Sequence, residues 1–321
     1  MLAYLVRRAA YGVLVVFGVL MLLFALFFGV TKPDDIARRA IGEKAMPSVI
    51  AQWKKNHGYD RPLWPGAGHL TDNLLVDHFR KMLTFDFGRS DADDTPIINR
   101  IKDGAGPSLS LTLPEFTCGI GLGLIIALFL AFFRETYIDR AGLVLGVLGM
   151  SVSVLLYIIG GQFLIGKLLR WFPISGFDSS WLVRPRFLML PVIVGIAAYL
   201  GSDTRFYRTL FVEEIHRDYV RTARAKGAGE IRVMARHVLR NALIPILTGI
   251  VISVPTLFMG SLLLENAFGI PGLGSLTVDA ITGNDFATLR AIVFIGSLLL
   301  VGGQILTDIT YTLADPRIRL E

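Results

Sequence analysis

The stretch LIPILTGIVISVPTLFMGSLLL, residues 243–264, runs for 22 residues without a charged side chain. A helix needs about 20 mostly apolar residues to cross the hydrocarbon layer of a bilayer, so this stretch reads as a transmembrane helix. Five other runs read the same way: 9–30, 108–133, 143–166, 187–200 and 289–311. The run 187–200 is the weakest. It reaches full length only by borrowing Gly201 to Thr204, and it contains Pro191, which a spanning helix tolerates when neighbours satisfy the freed backbone. The first run follows Arg7 and Arg8 like a secretory signal, but it exceeds the 7–15 residues of a signal core. Residues 29–32, Gly-Val-Thr-Lys, are also a poor cleavage site, so the run is expected to remain as an anchor.

Composition agrees. Of 321 residues, 53% are hydrophobic and only 18% charged, against about a quarter charged in a typical globular chain. Mean hydropathy is +0.58. A disordered chain, a disulfide scaffold and a free cytosolic enzyme are excluded. The single cysteine, Cys118, falls inside an apolar run and reads as a packing residue.

The net charge of +6 does not point to nucleic acid, because of where the charges sit. Arg7 and Arg8 precede the first run, and Arg134 and Arg140 bracket the second link. Arg205, Arg208, Arg217, Arg221, Arg224, Lys226, Arg232, Arg236 and Arg240 crowd residues 203–240, and Arg317 and Arg319 close the chain. Lys and Arg accumulate on cytoplasmic flanks, so six spans with both termini in the cytoplasm satisfy the bias. Arg170, Arg184 and Arg186 dissent on the outer side. The basic residues of 31–107 carry little weight, since long loops translocate largely regardless of charge.

Three regions follow: residues 1–30, a cytoplasmic flank and first span; 31–107, a small extracytoplasmic region; and 108–321, a five-helix core that includes the cytoplasmic loop 203–240. In the outer region, Trp53, Tyr59, Trp64, Phe79, Leu83, Phe85 and Phe87 are enough to seed a small core. Residues 49–55 and 70–83 read as amphipathic helices, with a turn at Pro62, Pro65 and Gly66. The region reads as a helical cap or as a dock for an external partner.

Residues 203–240 carry the most information. Helical propensity runs to Lys226, and Gly227 then stops the helix, because glycine takes the left-handed conformation at little cost. A second helix, 230–240, leads into the fifth span. The small side chains of Ala223 and Ala225 allow close approach, and the surrounding arginines suit acidic partners. The alternative is a basic flank resting on anionic lipid, which leaves the length and pairing of the helices unexplained.

Catalytic signatures are lacking. Residues 161–167 fit G-x-x-x-x-G-K, but Leu168 replaces the required Ser or Thr and the context is a spanning helix. Gly119 and Gly123 read as a helix-packing G-x-x-x-G. His57, His69 and His78 share the outer region at spacings that match no compact metal pattern. Ionisable groups inside spans are functional candidates by default; here they are Glu115, Glu265 and Asp308, the last two expected to reach the interface.

Residues 203–245 resemble the cytoplasmic EAA loop of ABC importer permeases. The run from Asp218 to Gly227, DYVRTARAKG, is similar to the version in the peptide/nickel branch, and His237, Leu239, Arg240, Asn241 and Pro245 continue the pattern. Arg221-Thr222-Ala223 stands where the general family has Glu-Ala-Ala. The resemblance extends to residues 4–8 (YLVRR), 60–63 (DRPL), 86–90 (DFGRS), Glu265 with 268–274 (FGIPGLG), Asn284-Asp285, Asp308 with Tyr311, and 315–319 (DPRIR). The long outer region points to the B-type subunit.

The resemblance implies an all-α integral membrane protein with the type I importer permease fold, in a bacterial inner membrane. It implies half of a pore completed by a second permease subunit, two ATP-binding subunits that hold ATP and Mg, and an extracytoplasmic substrate-binding protein. Di- and oligopeptides are the expected cargo, with nickel, glutathione, antibiotic peptides and oligosaccharides open. The chain itself is not expected to be an enzyme or to bind a cofactor. ATPase coupling is carried onto Tyr219, Arg221, Thr222, Ala223, Ala225 and Gly227. The turn bearing Phe268, Pro271, Gly272 and Gly274 is a candidate for an outer gate or docking face, or for a re-entrant packing loop. The competing reading is a secondary transporter or channel working alone, which would need inverted repeats with broken helices; no convincing repeat is visible.

Overall fold

The computed structural model describes residues 2–65 and 71–314. Gly66, His69 and Leu70 lie outside the described residues, as does the DPRIR motif with Arg317 and Arg319. The chain begins with α1 (Leu2–Phe24), which widens into a π-helical turn over Ala25–Val30. The outer region follows as α2 (Pro33–Ile41), α3 (Pro47–His57) and α4 (Leu74–Leu83). Next come α5 (Ile97–Phe132), α6 (Tyr137–Ser151), α7 (Val154–Gly161), with a π-helical extension over Gln162–Leu168, and α8 (Arg184–Ile215). The remainder is α9 (Asp218–Ala225), α10 (Glu230–Val233), α11 (Leu239–Met259), α12 (Leu262–Phe268), α13 (Leu273–Thr282) and α14 (Phe286–Ala314). No strand is present among the described residues. In lipid each backbone donor needs an internal partner, and a helix supplies one.

Five helices are long and apolar enough to span a membrane, and the bent pair α6–α7 brings the number to six if it counts as one span. That bend, 93°, is the main departure from the continuous third span expected over 143–166. Ser151 Oγ turns back to the Val147 carbonyl at 2.9 Å, Val152 and Ser153 are extended, and Tyr157 OH straps α7 to the Gly149 carbonyl at 3.0 Å.

Two expected boundaries also move. Helix α5 starts at Ile97, inside what reads as the outer region. Helix α8 absorbs Gly201 to Thr204 and continues to Ile215, so about the first third of what reads as the cytoplasmic loop belongs to this long helix. The second loop helix likewise has no end of its own: α10 passes through a π-helical turn at Met234–Val238 straight into α11.

Glycines let the spans approach closely. A Cβ at Gly123 would lie 3.3 Å from Tyr207 Cε2 on α8, and one at Gly119 would lie 3.8 Å from Ile196, so the expected G-x-x-x-G seam packs α5 against α8. Gly161 of the rejected phosphate-loop match packs against Val194. Cys118, expected in the packing, is instead exposed, because it sits on α5 away from that seam.

Apolar cores gather at each end. One joins Leu20 and Leu23 of α1, Met82, Ile97, Leu276 and Phe294; Phe24, Phe28, Ile36, Tyr59 and Leu74 form a second beneath the outer helices. At the opposite end, Ala127 and Ala131 of α5 pack with Phe211, Ile215, Val220, Val233, Met234 and Ala242.

Candidate functional site

The helical loop between α8 and α11 is a rigid hairpin. The Ala228 N–H donates to the Ala223 carbonyl at 3.2 Å and the Gly227 N–H to the Arg224 carbonyl at 2.9 Å. These are the two bonds of a Schellman stop, with Gly227 at φ +81° as its left-handed residue. Arg224 then reaches across the turn to Glu230 with contacts of 2.7 and 3.2 Å. On the inner face Val220 and Ala223 are buried in the apolar core, while Arg221, Thr222, Ala225 and Gly227 are exposed. Tyr219 OH bonds the Glu214 carboxylate, and burial together with that charge pushes the phenol up to about 12. Arg208 grips Asp139 of α6 with two bonds of 2.6 Å, fixing the base of the hairpin to its neighbour.

At the far end, α12 and α13 form a helix pair organised by Glu265, which is fully buried. Its Oε1 accepts from Ser108 Oγ at 2.7 Å and from the Ser261 N–H at 3.1 Å, and its Oε2 accepts from the Ser275 N–H at 3.1 Å. Ser108 Oγ also receives the Leu273 N–H at 2.7 Å. The carboxyl is pushed above the usual range by burial, with the donors pulling it back. A Cβ at Gly274 would lie 2.8 Å from backbone atoms of Ser261 and Leu262, and Gly260 and Gly272 press on the carboxylate itself. Glu265 therefore does not reach the interface, contrary to the sequence reading. Asp308 instead pairs with Arg8 of α1.

The segments that follow α3 and α4, with the first turn of α5, are fastened to the start of α14. Asp285 accepts from Ser90 Oγ at 2.6 Å, from the Asp91 N–H at 3.0 Å and from Arg100 at 3.2 Å. Asp91, raised by burial with Arg290 opposing, takes the Ala287 N–H at 2.9 Å and Tyr59 OH at 3.1 Å. Arg290 donates to Tyr59 OH at 2.7 Å and lies over the Phe28 ring. Burial drives the Tyr59 phenol upward.

Between these ends, a cavity of about 700 Å³ opens among α5, α8 and α11 beneath α12. Its walls include Glu115, Gly195, Asp203, Gly249 and Ser253.

Comparison with known proteins decides the family. Residues 119–320 match the model of the binding-protein-dependent transport system inner membrane component, and residues 1–112 match the N-terminal model of such membrane components. The chain belongs to this permease family. It is similar to a putative peptide transport system permease protein of Brucella abortus, 32% identical with all of both chains covered. It is equally similar, at 32%, to glutathione transport system permease proteins of Pectobacterium atrosepticum and Salmonella typhimurium, with 99% of each chain covered.

In this permease the predicted coupling residues share one short helix and its stop, but they do not share one face. Ala223 points into the core, so the close approach expected of it is made within the hairpin. Of the turn residues, Phe268, Gly272 and Gly274 are buried and Pro271 is exposed. Sequence reading missed the Glu265–Ser108 bond and the Arg208–Asp139 pair, whose partners are far apart along the chain.

Proposed function

We propose that this permease forms half of a heterodimeric translocation pathway in a bacterial inner membrane, with both termini in the cytoplasm. ATP binding and hydrolysis belong to two partner ATPase subunits that hold the nucleotide and Mg, and an extracytoplasmic binding protein delivers the solute. Peptides are the favoured cargo, supported by the names of the similar permeases. The observation that carries the reading is the geometry of α9. Its outer face offers Arg221, Thr222, Ala225 and Gly227 while Val220 and Ala223 anchor it to α8 and α11.

A force applied to α9 is therefore passed to two spans as a rigid body, the kind of input that alternating access needs. ATP-driven closure of the motors would rock α8 and α11 and turn the cavity from one side of the membrane to the other. In this reading the outer region, fastened to α14 through Tyr59, Ser90 and Asp91, receives the loaded binding protein. The chain's own part is binding, guiding and moving.

The test is affinity purification from native membranes with mass-spectrometric identification of stoichiometric companions. A second six-span permease and ATPases are expected. Recovery of the chain alone, stable and active, would overturn the reading in favour of a self-sufficient carrier. In parallel, Gly227→Asp is expected to abolish uptake and ATPase association while membrane insertion persists.

A further inference from the structure

The cavity among α5, α8 and α11 has an unbalanced lining. It holds two carboxylates, Glu115 and Asp203, and no Lys, Arg or His. Its other polar side chains are largely spent on the protein. Thr112 Oγ1 donates to the Ser108 and Leu257 carbonyls at 3.0 and 2.8 Å. Ser253 Oγ donates to Gly249 at 3.0 Å, and Thr256 Oγ1 to Ser253 at 2.6 Å. Among the described residues no donor reaches either carboxylate, and neither has a basic neighbour.

The two acids form a ladder rather than a cluster. Gly195 of α8 abuts the Glu115 carboxylate, and a Cβ at Gly123 of α5 would lie 3.4 Å from Asp203 Cβ. Glu115 to Gly123 and Gly195 to Asp203 are equal steps along two helices running side by side. At 1.5 Å rise per residue the carboxylates are about 12 Å apart along the wall. An unpaired ionisable group within a span is costly and is retained for a function, facing a cavity or a partner charge.

From this we infer that the cavity passes solutes bearing a positively charged amine, with Glu115 and Asp203 as successive counter-charges along the path. The inference rests on the pore reading and narrows its cargo to compounds with a free ammonium group. An amine leaving Glu115 would meet Asp203 before losing all compensation, so neither site becomes a trap. The apolar and glycine-lined remainder, with Gly119, Gly195 and Gly249, leaves room for side chains of varied size.

The test uses the complete transporter with its binding protein, in proteoliposomes. Trialanine and N-acetyl-trialanine are the probes, each at saturating binding protein. Discrimination by the binding protein cancels when wild type is compared with Glu115→Gln/Asp203→Asn on the same pair. The preference for the free amine is expected to fall about tenfold or more in the double variant, the scale of one charge-assisted hydrogen bond. An unchanged preference overturns the inference and leaves the importer reading standing. So does loss of the second permease on co-purification, which would make the carboxylates inter-subunit ion-pair partners. Failure of wild type to move either probe overturns the peptide-importer reading, and the inference with it.

Discussion

Glu265 organises three segments with one carboxylate: the α5 wall through Ser108, the start of α12 through Ser261, and the start of α13 through Ser275. Removing it strands a buried hydroxyl and two partly buried N–H groups, a buried unsatisfied group costing about 1–3 kcal/mol and a partly buried one less. Glu265→Ala is therefore expected to destabilise by about 3 kcal/mol or more, read as a lower thermal midpoint in detergent. Glu265→Gln keeps one acceptor and should lose less. His78 gives a pH prediction at the same scale. Its Nε2 donates to the Leu20 carbonyl at 3.2 Å, and burial, assisted by Arg290, holds the ring at about 4. The folded value lies below the ordinary 6.5, so the neutral ring's contribution is complete above about pH 6.5 and is lost as pH falls toward 4. The loss amounts to about 3 kcal/mol. Hydrogen exchange of α4 should accelerate over that window in wild type and lose the dependence in His78→Phe. Neither role was legible in the sequence. Glu265 shows as an acid beside a glycine-rich turn, but its main side-chain partner is 157 residues away.

At the scale of elements, what was legible follows from local chemistry. Apolar runs mark the spans because lipid demands them, and Gly227 marks the end of α9 because its left-handed backbone is strongly disfavoured for most side chains. The break between α6 and α7 was not legible, since Val152 and Ser153 carry no strong stop signal and the bend is held by Tyr157 reaching back to Gly149. The full length of α8 was hidden for a related reason. Gly201 to Thr204 look like an exit from the membrane, yet Gly201 packs on the Gly146 backbone and keeps the helix running. The glycine stop makes a graded prediction. Gly227→Val should destabilise the hairpin by about 1–2 kcal/mol through its left-handed φ, whereas Gly227→Asn, which tolerates that region, should lose less. Space is open around that position, so a Val variant that binds the ATPase and transports as well as Asn would remove backbone geometry as the reason for a glycine here.

For the whole molecule, contacts sort the connecting segments into two ends without reference to charge. At one end the 169–183 segment meets α12 where the Gly176 N–H donates to the Phe268 carbonyl at 2.7 Å, and the outer region meets α14 through Asp285. At the other, Arg208 holds Asp139, Arg8 holds Asp308, and the α9 hairpin closes the base. With the bent pair counted as one span, six apolar crossings would thread the chain between these ends in alternation. Apart from Arg170, Arg184 and Arg186, the charge bias groups the segments as these contacts do when the bent pair crosses, although the two rest on different physics. That agreement makes a sidedness prediction. In a Cys118→Ser background, single cysteines at Val49, exposed on α3, and at Thr222, exposed on α9, should react with a membrane-impermeant maleimide from opposite faces. In right-side-out vesicles Val49→Cys should label and Thr222→Cys should not, and inside-out vesicles should reverse the result. Labelling of both from one face would mean that the bent pair enters and leaves on the same side, reducing the crossings to five and placing α9 where no cytoplasmic motor could reach it.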